Sequence, residues 1–229
     1  MVVLVCFGTH RPEVMAQIEK LAGEQELYAP DVPVAGEEIF TREYAKAHRE
    51  ELGRVYGLLA DDHSRKVLRD VVEYKLTGDI KLLRGCESEP REAWESILRP
   101  GKEEHYMDLG AYTGDTIAEF IGYAGEWRRI TALEPDPVTF AELDSVDNIL
   151  CGQTVSLINM DVEGMEAEAI AGMAKTLRRH RPKLLIAGYH RSEDLWRLPL
   201  EVLAIQPEYK VYVRHYPCLP AWDVNFYFV

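Results

Sequence analysis

Apolar and polar positions along this chain change rhythm near residue 100. Before that point the spacing is mostly helical, after an opening apolar run, Val2–Phe7, that reads as a buried strand. Pro12 starts a helix with Val14, Ile18 and Leu21 on one face, and Tyr28–Val34 reads as a loop. Thr41–Leu59 repeats apolar residues at helical spacing, and a further helix from Asp62 stops at Thr77-Gly78. Pro90–Leu98 predicts a third short helix. The opening strand needs neighbours. It either joins the edge of the later sheet or pairs with a segment ahead of Met1.

After residue 100, strands and helices alternate. Strands are predicted at His105–Leu109, Arg129–Glu134, Val155–Asp161 and Lys183–Tyr189. Helices are predicted at Asp115–Tyr123, from Pro137 to Leu143, at Glu166–Arg179, and at Ser192–Ile205 with Ser192 as N-cap. Tyr209–Tyr216 and Val224–Val229 are close enough to form an antiparallel pair. The order predicts an α/β fold with a doubly wound, mostly parallel sheet and an antiparallel last strand. Residues 1–100 form a mainly helical N-terminal region and a candidate lid, and residues 101–229 form the sheet domain.

Charge narrows the partners. With 39 acidic and 26 basic residues the formal net charge is -13, which disfavours phosphate backbones, so no nucleic-acid partner is expected. The one basic run, Arg178–Arg181, falls where a helix should end and suits the helix dipole. No apolar run reaches the roughly 20 residues of a membrane span. The amino end lacks the basic leader and cleavage pattern of a secretion signal, so a cytoplasmic location is expected. Cys6, Cys86, Cys151 and Cys218 form no C-x-x-C pair. They are expected as free thiols, with Cys6 in the core.

The chemistry concentrates at three strand ends. The first predicted strand of the sheet domain runs into Met107-Asp108-Leu109-Gly110-Ala111-Tyr112-Thr113-Gly114-Asp115-Thr116. Glycines at 110 and 114 permit a tight strand-to-helix turn whose backbone a ligand can approach. The second strand ends at Glu134-Pro135, 24 positions after Gly110, close to the ~20 at which an acidic residue meets ribose hydroxyls. The dinucleotide pattern G-x-G-x-x-G is not met, and Asp108 and Asp115 flank the turn, which disfavours a pyrophosphate. A cationic nucleoside such as S-adenosylmethionine suits such a rim better than NAD. The third piece, Asn159–Glu166, places Asp161 and Glu163 near the methionine end of the cofactor or near the acceptor. Such acidic groups could also hold a divalent cation, although no metal is assigned.

Together these stretches resemble the FkbM family of methyltransferases, through YMDLGAYTGDT, ALEPD, INMDVEGMEAEAIAGM and RPKLLIAGYHRSEDLWRLP with YKVYVRHY. VYGLLADDHSRKVLRDVVEYKLTGDI is similar to the N-terminal part of one subgroup. The resemblance implies a Rossmann-like class I methyltransferase sheet and O-methylation of a small-molecule or sugar hydroxyl. It implies S-adenosylmethionine contacts at Asp108, Gly110, Ala111, Tyr112, Gly114, Asp115, Thr116, Glu134, Pro135 and Asp161. Such folds usually carry a further strand and helix between the ribose acid and the next inner strand. Here Asp161 follows Glu134 by only 27 positions, and a segment is expected to be missing near Leu143–Val146.

Methyl transfer to an alcohol needs alignment and a base. His190, at the carboxyl edge of the sheet, is the first candidate, His215 the second, and Asp161 or Glu163 the alternatives. Tyr74 and Lys75 are candidates to shape an acceptor pocket. The competing readings are a non-catalytic binding module on the same fold and an NAD-dependent oxidoreductase.

Overall fold

The computed structural model describes residues 1–134 and 146–229. Strand β1 (Val2–Leu4) is followed by helix α1 (Pro12–Glu24), which begins at its proline, and by β2 (Glu26–Tyr28). β1 and β2 pair in parallel as a separate two-stranded sheet. This corrects the expected buried strand at 2–7: Val2 and Leu4 are more than half exposed, and Cys6 is exposed rather than in the core. A two-stranded ribbon covered on one side turns only alternate residues inward. The four cysteines are free, as expected.

The expected helix at 41–59 is two helices, α2 (Arg42–Ala47) and α3 (Arg49–Leu58), broken at His48. α4 (Asp62–Thr77) is capped by Asp61, whose carboxylate accepts from Ser64 N at 2.6 Å, and it stops at left-handed Gly78 as the sequence predicts. A short α5 (Ile80–Gly85) follows, and α6 (Pro90–Glu92) continues into a π-helical turn, Ala93–Leu98.

The main sheet uses β3 (His105–Leu109), β4 (Arg129–Leu133), β5 (Leu157–Met160), β6 (Lys183–Ala187), β7 (Val211–His215) and β8 (Val224–Phe228). Among the described residues its order is β4-β3-β5-β6-β8-β7, with β8 antiparallel to both neighbours and the other pairings parallel. The helices between these strands are α7 (Asp115–Ala124), α8 (Val146–Leu150), α9 (Glu166–Gly172), α10 (Ala174–His180) and α11 (Asp194–Ile205). The predicted helix at 166–179 is broken at Met173, and the basic run does fall at the end of α10. Ser192 is not a cap: its hydroxyl donates to Glu38 O at 2.7 Å, and α11 begins at Asp194. The predicted helix from Pro137 and most of the expected gap at 143–146 lie outside the described residues.

Strand alternation gives the sheet two apolar faces. Met107, Leu109, Ile158, Met160, Ile186 and Phe226 face a large cluster that also takes in Val67, Leu68 and Val71 of α4. Tyr106, Leu157 and Tyr227 face a smaller one with Trp94 and Phe120. The N-terminal helices thus share a core with the sheet. Arg214 of β7 reinforces that join, donating to Asp61 and Glu92 from a fully buried position. No helix among the described residues is long and apolar enough to cross a membrane.

Candidate active site

The turn after β3 is set by two glycines, for different reasons. Gly110 has φ +92, and a Cβ there would lie 1.7 Å from the carbonyl oxygen of Asp161. The chain leaving β3 and the chain leaving β5 cross at that point with no room for a side chain. Gly114, at φ +83, has open space around it and caps the start of α7. Gly110 N and Ala111 N both donate to Leu133 O, at 2.9 and 3.2 Å, which ties the turn to the end of β4.

Asp108 lies beneath this turn and is fully enclosed. Its carboxylate accepts from Thr116 Oγ1 at 2.5 Å and from Asn159 Nδ2 at 2.8 Å. Burial pushes its pKa up, against the pull of those two bonds. Asp108 therefore braces the turn and does not present its charge to a ligand, so the expected electrostatic rim rests on Asp115. Ala111 is buried, whereas Tyr112, at φ +35, is 82% exposed. Glu134 reaches from the end of β4 to this turn: its Oε2 accepts from Tyr112 N at 2.5 Å. Pro135 lies outside the described residues.

Alongside the turn is a cavity of about 460 Å³. Asp115 and Thr116 of α7, Asn159 and Asp161 of the β5 end, and Tyr189 line one part of it. Trp94, Tyr227 and Asp223 line another, and His10 contributes from the amino-terminal arm. Tyr189 OH donates to Asp161 Oδ2 at 3.1 Å. Burial raises the Asp223 pKa to about 7, partly offset by a 2.7 Å bond from Asn225 Nδ2. Asp223 was missed from sequence. Its signal was indirect: β8 runs antiparallel, so its amino end, where Asp223 sits, is the end on the functional edge.

The structure places the expected bases elsewhere. His190 does not line the cavity. It is 1% exposed, with Nε2 3.2 Å from Asp161 Oδ1 and 3.6 Å from Glu163 Oε2, and Nδ1 3.0 Å from Glu166 Oε1. Burial alone would lower its pKa, but Asp161 and Glu166 outweigh that and raise it to about 10. An imidazole so placed holds a proton at neutral pH and is not free to take one. Glu163 is largely exposed, with its carboxylate turned back over His190. Tyr74 and Lys75 are both buried and belong to neither the cavity nor the turn.

His215 is completely buried, with Nδ1 3.1 Å from Asp223 O and no partner for Nε2. Burial lowers its pKa from 6.5 to about 4. It is a neutral core residue rather than a base in the crevice. The unfolded chain binds a proton at this residue below pH 6.5 and the folded chain does so only near pH 4. Stability from this residue is therefore present above pH 6.5 and lost as pH falls towards 4, by about 2 kcal/mol between pH 7 and 5. Urea denaturation at both pH values should show this loss in the wild type and a smaller one in His215→Asn. Equal losses would assign the acid sensitivity to other groups.

A profile of the methyltransferase FkbM domain family matches residues 35–212. A crystal structure of methyltransferase FkbM from Methylobacillus flagellatus KT superposes with a TM-score of 0.78 at 23% identity, covering 99% of this chain and 73% of that one. A precorrin-6y C5,15-methyltransferase from Geobacter metallireducens GS-15 reaches a TM-score of only 0.40 at 15% identity, over 60% of this chain and 84% of that one. No curated protein matches the sequence.

Proposed function

Because the chain belongs to the FkbM methyltransferase family, and is on that ground a methyltransferase, we propose that it takes its methyl group from S-adenosylmethionine and delivers it to a hydroxyl of a small molecule or sugar. The observation that carries this reading is Glu134. Its carboxylate meets the glycine turn at Tyr112 N, at the strand end where an acid can accept from both ribose hydroxyls.

The residues around it fit a cationic nucleoside. Gly114 leaves its surroundings open to a ligand. Exposed Asp115 puts a negative charge at the first turn of α7, the place a pyrophosphate would need for itself. Asp161 supplies a second carboxylate, steadied by Tyr189. When bound, S-adenosylmethionine supplies a methyl group on a sulfonium, transferred by in-line displacement. The chain's own part is to align the acceptor and receive its proton. The cavity beside Asp161 has room for a small acceptor, and its aromatic walls, Trp94 and Tyr227, suit the flat apolar faces of a ring. Asp223 is the group placed to take the hydroxyl proton, since His190 already carries one.

Calorimetry with S-adenosylmethionine, S-adenosylhomocysteine and NAD tests the reading. The first two should bind and NAD should not. Glu134→Gln should weaken both by about 10- to 100-fold, or about 1.4–2.7 kcal/mol. Binding of NAD alone, or unchanged affinity in Glu134→Gln, would remove the basis for the cofactor assignment.

A further inference from the structure

Asp161, Glu163 and His190 come together where β5 and β6 end, at the margin of the cavity. We propose that these three side chains form a binding site for a divalent transition-metal ion. The site goes beyond the methyl-transfer reading and stands or falls without it.

Spacing is the first support. Two ligand atoms each about 2.1 Å from one ion and roughly 90–120° apart are separated by roughly 3.0–3.6 Å. Nε2 of His190 lies 3.2 Å from Asp161 Oδ1 and 3.6 Å from Glu163 Oε2. The candidate ligand atoms of all three residues lie within 4.8 Å of one another.

The second support is the state of the imidazole. His190 is 1% exposed, so water cannot satisfy it. Its Nε2 faces Asp161 and Glu163, where the buried Asp161 Oδ1 has no hydrogen-bond partner, while Nδ1, on the far side of the ring, faces Glu166 Oε1 at 3.0 Å. Without an ion the ring keeps the proton described above, and a divalent ion between Nε2 and the two carboxylates would displace that proton and join all three groups. Glu166 then takes the position of the outer carboxylate that fixes a ligating ring. It is itself held, because its Oε1 accepts from Val162 N at 3.0 Å and Gly164 N at 3.3 Å.

Charge is the third. Asp161, Glu163, Glu166 and Asp194 surround the one imidazole. Arg191, next in the chain, donates its Nε to Gly164 O at 2.7 Å instead. A divalent ion supplies the missing positive charge. Two carboxylates and one imidazole suit manganese or zinc better than calcium, which takes oxygen ligands in larger number. Three protein ligands leave coordination positions open for water or another ligand.

The test uses manganese chloride alone, titrated calorimetrically into chelator-treated full-length protein without nucleoside or acceptor. One ion per chain should bind with a Kd in the micromolar range. Glu163→Gln and Asp161→Asn should each weaken it by about 10- to 100-fold. Glu163 is exposed, so its variant should fold, which circular dichroism checks. Glu168→Gln, an exposed acid on α9, should leave binding unchanged. Absence of saturable binding below about 1 mM, the weak end of specific divalent-ion sites, overturns the proposal, and so does affinity that survives Glu163→Gln. Either result leaves the S-adenosylmethionine titration unaffected, so the two readings fail separately.

Discussion

Gly110→Ala is expected to destabilise the protein by about 4 kcal/mol or more, while Gly114→Ala, four residues on in the same turn, costs about 1–2 kcal/mol. Both glycines sit at positive φ, +92 and +83, so backbone conformation alone would penalise them alike. They differ in what a methyl group would meet. At 114 it meets nothing within 4 Å, whereas at 110 it meets the Asp161 carbonyl oxygen at 1.7 Å. A backbone oxygen cannot swing aside as a side chain does. Either the turn after β3 or the one after β5 must move, and each carries residues of the proposed site. Urea denaturation of the two variants checks this. Equal costs would mean that the two turns are not locked together as described.

The second large effect lies away from the site. Lys75 and Asp31 form an ion pair at 2.7 Å with side chains only 2% and 3% exposed. Lys75→Met should cost about 3–5 kcal/mol, because it leaves Asp31 charged, buried and without a counterion. Asp31 already has one oxygen with no hydrogen-bond partner. Adding Asp31→Leu should recover most of the loss, since an apolar pair needs no compensation. A Lys75→Met cost below 1 kcal/mol, or no recovery in the double variant, would show that water reaches Asp31. The pair fixes the stretch whose Ala35 N donates to His190 O at 2.8 Å, so its loss should also loosen the His190 neighbourhood.

Much of the sheet domain was legible because its elements are long and periodic. β3, the glycine turn and α7 follow from one apolar run, two glycines and an amphipathic helix, and the antiparallel β7–β8 pair follows from the short connection between those strands. Short elements were not legible. β1 and β2 have three residues each, too few to show a period, and their pairing depends on where α1 returns the chain. The breaks at His48 and Met173 were hidden because the apolar spacing continues through them. Site residues divided in a similar way. Glu134 announces itself by its distance from Gly110. Asp223 has no motif and joins the cavity only through the direction of β8. His190 and His215 look equivalent as strand-end histidines in the sequence. Among the described residues four carboxylates gather around the first and none around the second, and only tertiary packing decides that.

The cavity draws its walls from two kinds of sequence. Asp115, Asn159 and Asp161, on the side of the glycine turn, fall within the span shared with the family. His10, Trp222, Asp223 and Tyr227, on the opposite side, fall outside it. If the cavity takes the acceptor as proposed, substitutions confined to the two extremities of the polypeptide should change which molecule is accepted and leave the grip on the nucleoside as it is.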